Sequence, residues 1–245
     1  MNVRYQHRNG NRRYARLRPR LPARYNVPWR EPFDQAVSGA LRPGIRVLDV
    51  GGGGEPAISI DRRPPGLYYV GLDLSAAELA RAPAGAYDAT VVGDVAVRRP
   101  ELEDQFDLIV SWQVLEHVRP LAVAVANLRS YLRPEGLLVV QLSGAFSAFG
   151  LLNRILPQRL GIWGMSVLLG RDPETVFPAY YDGCWHRRLR RMFSGWTRAQ
   201  IVPIYQGAVY FSFFAPLMAI YLVYEDWAAR AHVDLATHYV IVARR

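Results

Sequence analysis

The chain alternates between short apolar runs and longer stretches in which apolar residues recur at helical spacing, and the runs repeatedly end in an acid, a serine or a glycine. Short runs that are apolar on both faces predict parallel strands covered on both sides. They fall at Val47–Val50, Leu67–Leu72, Ala89–Val92, Phe106–Val110, Leu137–Leu142, Ile201–Tyr205 and Thr237–Val242. Helices are predicted over Glu31–Leu41, in one or two turns within Glu55–Ile60, and in a short piece capped by Ser75. Two more follow, over Leu121–Leu132 and within Gly183–Gly195. Strands alternating with helical connections define an α/β chain built on a doubly wound, mostly parallel sheet.

Two stretches break this rhythm. Residues 143–182 show no strand pattern and read as a helical lid, a substrate insertion within a domain running from residue 31 to 245. Ala208 to Tyr224 is apolar and aromatic without a single charge. At 17 residues, with Pro216 inside it, this run predicts a buried or interfacial helix in preference to a bilayer span.

Composition narrows the chemistry. The 245 residues carry a net charge of +9, and all thirty basic residues are arginine. Without lysine there is no phosphate loop of the GK[ST] kind, no Schiff-base lysine and no Tyr-x-x-x-Lys dehydrogenase pair. Cys184 is the single cysteine, so no internal disulfide and no cysteine-cluster metal site can form, and a cytoplasmic setting is expected. The opening lacks the pattern of a secretory signal. Residues 1–30 hold nine arginines and no acid before Glu31. They predict a flexible basic arm, either a solvated tail or a contact for anionic lipid, nucleic acid or a phosphorylated substrate.

The chemistry gathers at the ends of the strands. Val47-Leu48-Asp49-Val50 runs into Gly51-Gly52-Gly53-Gly54, where glycines directly after a strand let a ligand approach the backbone closely. Asp73 ends the second strand about twenty residues on, placed to receive ribose hydroxyls. Asp94 follows the third strand and Ser111 the fourth. Three aspartates and a glycine loop at successive strand ends point to a nucleotide-type cofactor.

These segments resemble the class I S-adenosylmethionine-dependent methyltransferases. Val47 to Gly54 matches their first motif, Val70-Gly71-Leu72-Asp73-Leu74-Ser75 the second, and Gly93-Asp94-Val95 the third. Phe106 to Ser111, running into Val114-Leu115-Glu116-His117-Val118, is similar to the small-molecule branch, and Leu132 to Gly136 to the turn before the fifth strand. The loop departs from the family at Glu55, where a third glycine is common. The resemblance implies a Rossmann-like seven-stranded sheet with an antiparallel last strand, and S-adenosyl-L-methionine as cofactor. It implies Gly51 and Gly53 against the methionine part, Asp73 on the ribose, and Asp94 with Val95 at the adenine. Asp49, Gly52, Leu74 and Ser111 complete the expected cofactor set at the same strand ends.

The implied reaction moves a methyl group to an oxygen, or a nitrogen, of a small molecule, sugar or lipid-linked glycan. His117 is the expected general base, with Tyr180, Tyr181 and His186 as further substrate contacts. Relatives that bind Mg²⁺ do so through Glu-x-x-Glu-His. Gln113 stands at the first of these positions, so no metal is expected. No Pro-Pro-aromatic motif follows the fourth strand and no thiol lies near the loop, so nucleic acid is not the expected substrate. The segments Leu151–Arg154, Val176–Tyr181 and Tyr239–Arg244 look like methyltransferase-domain proteins of bacterial surface-glycan biosynthesis, which implies a lipid-linked substrate and peripheral contact with an anionic membrane. The competing readings are a non-catalytic interaction protein on this fold and a nucleic-acid methyltransferase using the basic arm.

Overall fold

Four of the five residues of β1 (Arg46–Val50) are buried, which fits a strand at the centre of a sheet. β1 pairs in parallel with β2 (Tyr68–Asp73) on one side and β4 (Phe106–Trp112) on the other. β3 (Ala89–Val92) lies outside β2, and β5 (Leu132–Ser143) outside β4, both in parallel. β6 (Arg198–Ile204) forms the far edge, joined to β5 through β7 (His238–Arg244), which runs antiparallel to both. The order is β3-β2-β1-β4-β5-β7-β6, the expected seven-stranded sheet with its last strand reversed. The computed structural model describes residues 21–147, 150–151, 179–211 and 214–245.

Alternation along β1 sends its side chains into two cores. Val47 joins Leu108, Val110 and Val139 under α1 (Glu31–Ala40), whose Phe33 and Val37 are buried one turn apart. Leu48 and Val50 join Ile109, Leu138 and Val140 under α3 (Leu121–Tyr131), which contributes Leu121, Ala124, Val125 and Leu128. Each fully buried side chain of this size stabilises the fold by about 1.5–3 kcal/mol. α2 (Ala76–Ala80) begins at Ser75, whose hydroxyl accepts the Glu78 N–H at 3.2 Å as expected.

Three expectations change. Residues 55–59 are not helical; a single 3₁₀ turn, Ile60–Arg62, is all that forms between β1 and β2. The backbone groups before that turn are taken from outside: Asp49 accepts the Ala57 N–H, Arg30 donates to the Ala57 carbonyl, Tyr69 accepts the Ile58 N–H and Arg63 donates to the Ile58 carbonyl. The basic arm was expected to be flexible to residue 30, yet its final portion is packed. Tyr25 is buried with Ala208, Met218 and Tyr221, and Arg24 bridges Glu225 and Asp226. Residues 1–20 lie outside the described residues. Finally, the apolar run from Ala208 is a 3₁₀ turn (Ala208–Phe211) followed by α5 (Ala215–Ala231), which continues through Glu225 and Asp226.

The expected lid spans residues 143–182, of which 148–149 and 152–178 lie outside the described residues. Its start meets the chain just beyond its end: the Ala145 N–H donates to the Cys184 carbonyl at 2.8 Å. α4 (His186–Met192) follows. Among the described residues no helix is long and apolar enough to cross a membrane.

Candidate active site

Strand order reverses between β1 and β4, so their carboxyl ends open the crevice where a sheet of this kind binds ligands. Asp49 lies there, fully buried. Its Oδ2 accepts from the Ala57 N–H and the Tyr69 hydroxyl, both at 2.7 Å, while Oδ1 has no partner. Burial pushes its carboxyl up to about 6, against the opposing pull of those two donors and of Arg63 and Arg30.

The glycine loop is shaped by what surrounds it. Gly51 has φ +75°, and a side chain there would strike Val114. At Gly52 a Cβ would stand 2.5 Å from the Tyr87 hydroxyl and 2.6 Å from Asp49 Oδ2. Tyr87 stacks on Tyr69 at 5.7 Å and donates to the Gly53 carbonyl. Arg63 covers the Tyr69 ring at 3.8 Å. Buried acid, stacked tyrosines and arginine thus hold a backbone that only glycine can follow. An orphaned carboxylate oxygen beside such a cradle suits a ligand carrying a cationic N–H donor.

Asp73 ends β2 half-buried, its Oδ1 accepting the Ser75 N–H at 2.9 Å. Burial raises its carboxyl, and Glu78 adds to the rise. Leu74 beside it is 71% exposed, a bare apolar surface of the kind a purine ring covers. Asp94 is exposed and closes its own turn on the Ala96 N–H, and Val95 is buried with its carbonyl tied to Asn127. Ser111 is placed differently from the others. It is fully buried and its hydroxyl donates to the Val50 carbonyl at 3.1 Å, stitching β4 to β1.

A polar cluster absent from the sequence-based expectation lies on the other side of the crevice. Because β7 is reversed, its first residue, His238, meets the last residue of β5, Ser143. His238 Nδ1 lies 3.5 Å from both Ser143 Oγ and Gln113 Nε2, and Ser143 donates to Gln113 Oε1 at 3.0 Å. The imidazole stacks on Trp29 at 4.7 Å, and burial lowers its pKa to about 3, so it is neutral. Glu116, nearly fully buried, accepts the Ser143 N–H and keeps Oε2 without a partner; burial raises its carboxyl.

His117 sits half-exposed in the 3₁₀ turn Leu115–His117, after this cluster. The amides of Tyr180 and Tyr181 both donate to the Glu116 carbonyl, docking the return of the excursion onto this turn. Tyr180 is exposed and Tyr181 buried, while His186 starts α4 with its pKa lowered by burial. Among the described residues no group of three or more His, Cys, Asp or Glu is placed to hold a metal ion.

A sheet of this order with one reversed strand, and a glycine loop and acids at its carboxyl edge, defines a class I S-adenosylmethionine-dependent methyltransferase fold. The chain belongs to the methyltransferase-domain family, whose model matches residues 5–196. It is 31% identical over 150 residues to the ubiquinone biosynthesis O-methyltransferase of Mesorhizobium japonicum, covering 57% of this chain and 55% of that one. The chain therefore spans about half the length of this curated relative. Among solved structures it is similar to phosphoethanolamine N-methyltransferase 2 of Haemonchus contortus in complex with S-adenosyl-L-methionine, at 14% identity and a TM-score of 0.55, covering 89% of this chain and 52% of that one. It is also similar to the YcgJ protein of Bacillus subtilis, at 15% identity and a TM-score of 0.50, covering 88% and 98%. S-adenosyl-L-methionine is the cofactor, and the orphaned Asp49 oxygen and the glycine cradle fit it.

Proposed function

We propose that the chain transfers the methyl group of S-adenosylmethionine to an oxygen, or a nitrogen, of a small molecule, sugar or lipid-linked glycan. The observation that carries the oxygen reading is the Gln113–Ser143–His238 cluster, a neutral imidazole beside two hydrogen-bonding side chains at the carboxyl edge. The name of the Mesorhizobium relative, an O-methyltransferase, supports the same choice.

The cofactor supplies a methyl group already activated by the sulfonium charge, so the chain's main tasks are alignment and exclusion of water. Gly51, Gly52 and Gly53 would admit the methionine portion against the backbone, and Asp49 Oδ1 would accept its ammonium. Asp73 would take the ribose hydroxyls, with Leu74, Asp94 and Val95 around the adenine. Ser111 would act at one remove, fixing the spacing of β1 and β4. A hydroxyl acceptor gives up its proton as the new C–O bond forms, and a positioned base takes it. His117, the base expected from sequence, would fill this role from its turn after β4. His238 would hold the acceptor oxygen through its neighbours Ser143 and Gln113.

The protein would act in the cytoplasm with peripheral contact at an anionic membrane, where a lipid-linked acceptor is presented. Titrating S-adenosylmethionine by calorimetry tests the cofactor half. Asp73→Ala should weaken binding about tenfold or more, and unchanged affinity would refute the ribose role. Release of S-adenosylhomocysteine across a panel of phenols, sugars and polyprenyl-linked glycans tests the acceptor half. Turnover with none of them, alongside normal cofactor binding, would count against these substrate classes.

A further inference from the structure

Trp29 bridges across β5. Its ring lies 5.0 Å from that of Trp112 on β4 and 4.7 Å from that of His238 on β7, the strands on either side of β5. Two strand spacings, roughly 10 Å of sheet, separate those partners. Trp112 pairs in register with Gln141, and His238 with Ser143. Side chains along a strand alternate between faces, so Gln141 follows Leu137 and Val139 onto the face that carries α1. Phe33 of α1, 5.0 Å from Trp112, marks the same face. The indole of Trp29 therefore lies over Gln141.

Gln141 is fully buried, and among the described residues neither its amide oxygen nor its amide nitrogen has a hydrogen-bond partner. Leaving both atoms of a buried amide unpaired opposes folding, so such a residue calls for a role beyond packing. Val50 pairs with Ser111, so the next step past β1 sets Gly51 beside Trp112, and the space under Trp29 adjoins the glycine loop. A flat ring in place of the indole would keep the stacking on His238 and Trp112. A hydroxyl on that ring can donate to the amide oxygen or accept from the amide nitrogen. A sugar would instead bring several hydroxyls between aromatic faces, where most would lose their hydrogen bonds. Trp29 is only partly buried, on the turn before α1. Gln206 holds the Arg24 and Val27 carbonyls and Arg30 the Ala57 carbonyl, so the side chain can swing out while the turn stays anchored.

We propose that Trp29 occupies the binding slot of a flat, hydroxyl-bearing aromatic acceptor, and that Gln141 selects this acceptor by pairing with a ring hydroxyl. This rests on the acceptor position proposed above, beside Ser143 and His238, and narrows the acceptor to one class of small molecule.

The test is a ligand-observed NMR titration of the full chain with 1-naphthol, a hydroxylated ring system of indole size, and with naphthalene. 1-Naphthol is expected to bind more tightly than naphthalene. Gln141→Leu should weaken 1-naphthol about tenfold and leave naphthalene no weaker. Its melting temperature should stay at or above that of wild type, because an unpaired amide gives way to an apolar side chain of similar size. Trp29→Ala should tighten both ligands about fivefold or more by emptying the slot. Equal affinity for the two ligands, undiminished 1-naphthol binding by Gln141→Leu, or weaker binding by Trp29→Ala would overturn the proposal. So would melting of Gln141→Leu well below wild type, since the amide would then serve the fold. Binding of 1-naphthol that depends on Gln141, without release of S-adenosylhomocysteine from any aromatic hydroxyl, would strike the oxygen-transfer reading and leave the slot standing. Turnover of sugars by Gln141→Leu at the wild-type rate would do the reverse.

Discussion

Asp49 grips the Ala57 amide through Oδ2 at 2.7 Å and leaves Oδ1 buried without a partner. One carboxylate thus fixes the loop after the glycines and still offers an acceptor to a ligand. Asp49→Asn keeps the shape and removes the charge. Calorimetry should show affinity for S-adenosylmethionine reduced about ten- to hundredfold, the range for a hydrogen bond to a charged group.

The same residue links cofactor binding to pH. With its carboxyl at about 6 in the unliganded chain, the proton must leave before Asp49 can meet a cationic ammonium. Affinity should fall with acidification through that value, by about one proton per cofactor. Asp49→Asn should abolish the slope. Stability runs the other way: this raised carboxyl favours the fold below its unfolded pKa, and the contribution is lost as pH rises through about 6.

Gly52 leaves no room for a side chain between Tyr87 and Asp49. Gly52→Ala should destabilise the fold by about 1–3 kcal/mol, because both neighbours are themselves held by hydrogen bonds. Thermal melting would register this as a drop of several degrees, accompanied by weaker cofactor binding.

His238 governs an acid limb. Folded, it resists protonation down to about pH 3, while an unfolded histidine takes its proton near 6.5. Its folded pKa is depressed, so the native state loses stability as pH falls from about 6.5 towards 3. Urea midpoints at neutral and mildly acidic pH should diverge less in His238→Gln than in wild type.

Arg24 holds Glu225, whose side chain is only 2% exposed, at 3.0 Å. Arg24→Ala should cost about 2 kcal/mol by removing a charged partner from a buried acid. Glu225 retains Tyr25 and the Gly207 amide, so Arg24→Ala with Glu225→Gln should recover part of the loss in a double-mutant cycle.

The parallel strands were legible because each is a short apolar run closed by an acid, a serine or a glycine. The strand ends at Asp73 and Val92 fall where the sequence placed them. The loop after Gly54 was not legible: its path is decided by Tyr69, Arg63 and Arg30, which lie outside its own sequence. His238 was missed for a related reason. Within Thr237–Val242 it reads as one more strand residue, and only the reversal of β7 brings it to Ser143. Ser111 shows how a strand-end polar residue can also serve the fold. Its place at a strand end suggested a ligand contact, and its hydroxyl also donates to the neighbouring strand.

The reversal of β7 also divides the molecule's inheritance. Parallel strands can bring only their last residues to the crevice, and those of β1 and β2 are shared with the glycine loop and Asp73. An antiparallel strand brings its first residues, here preceded by α5 and the 3₁₀ turn Val233–Leu235. On the proposed role of His238, substitutions at the start of β7 should change acceptor preference while cofactor affinity stays constant, and a mutant library confined there is the natural place to look for new substrates.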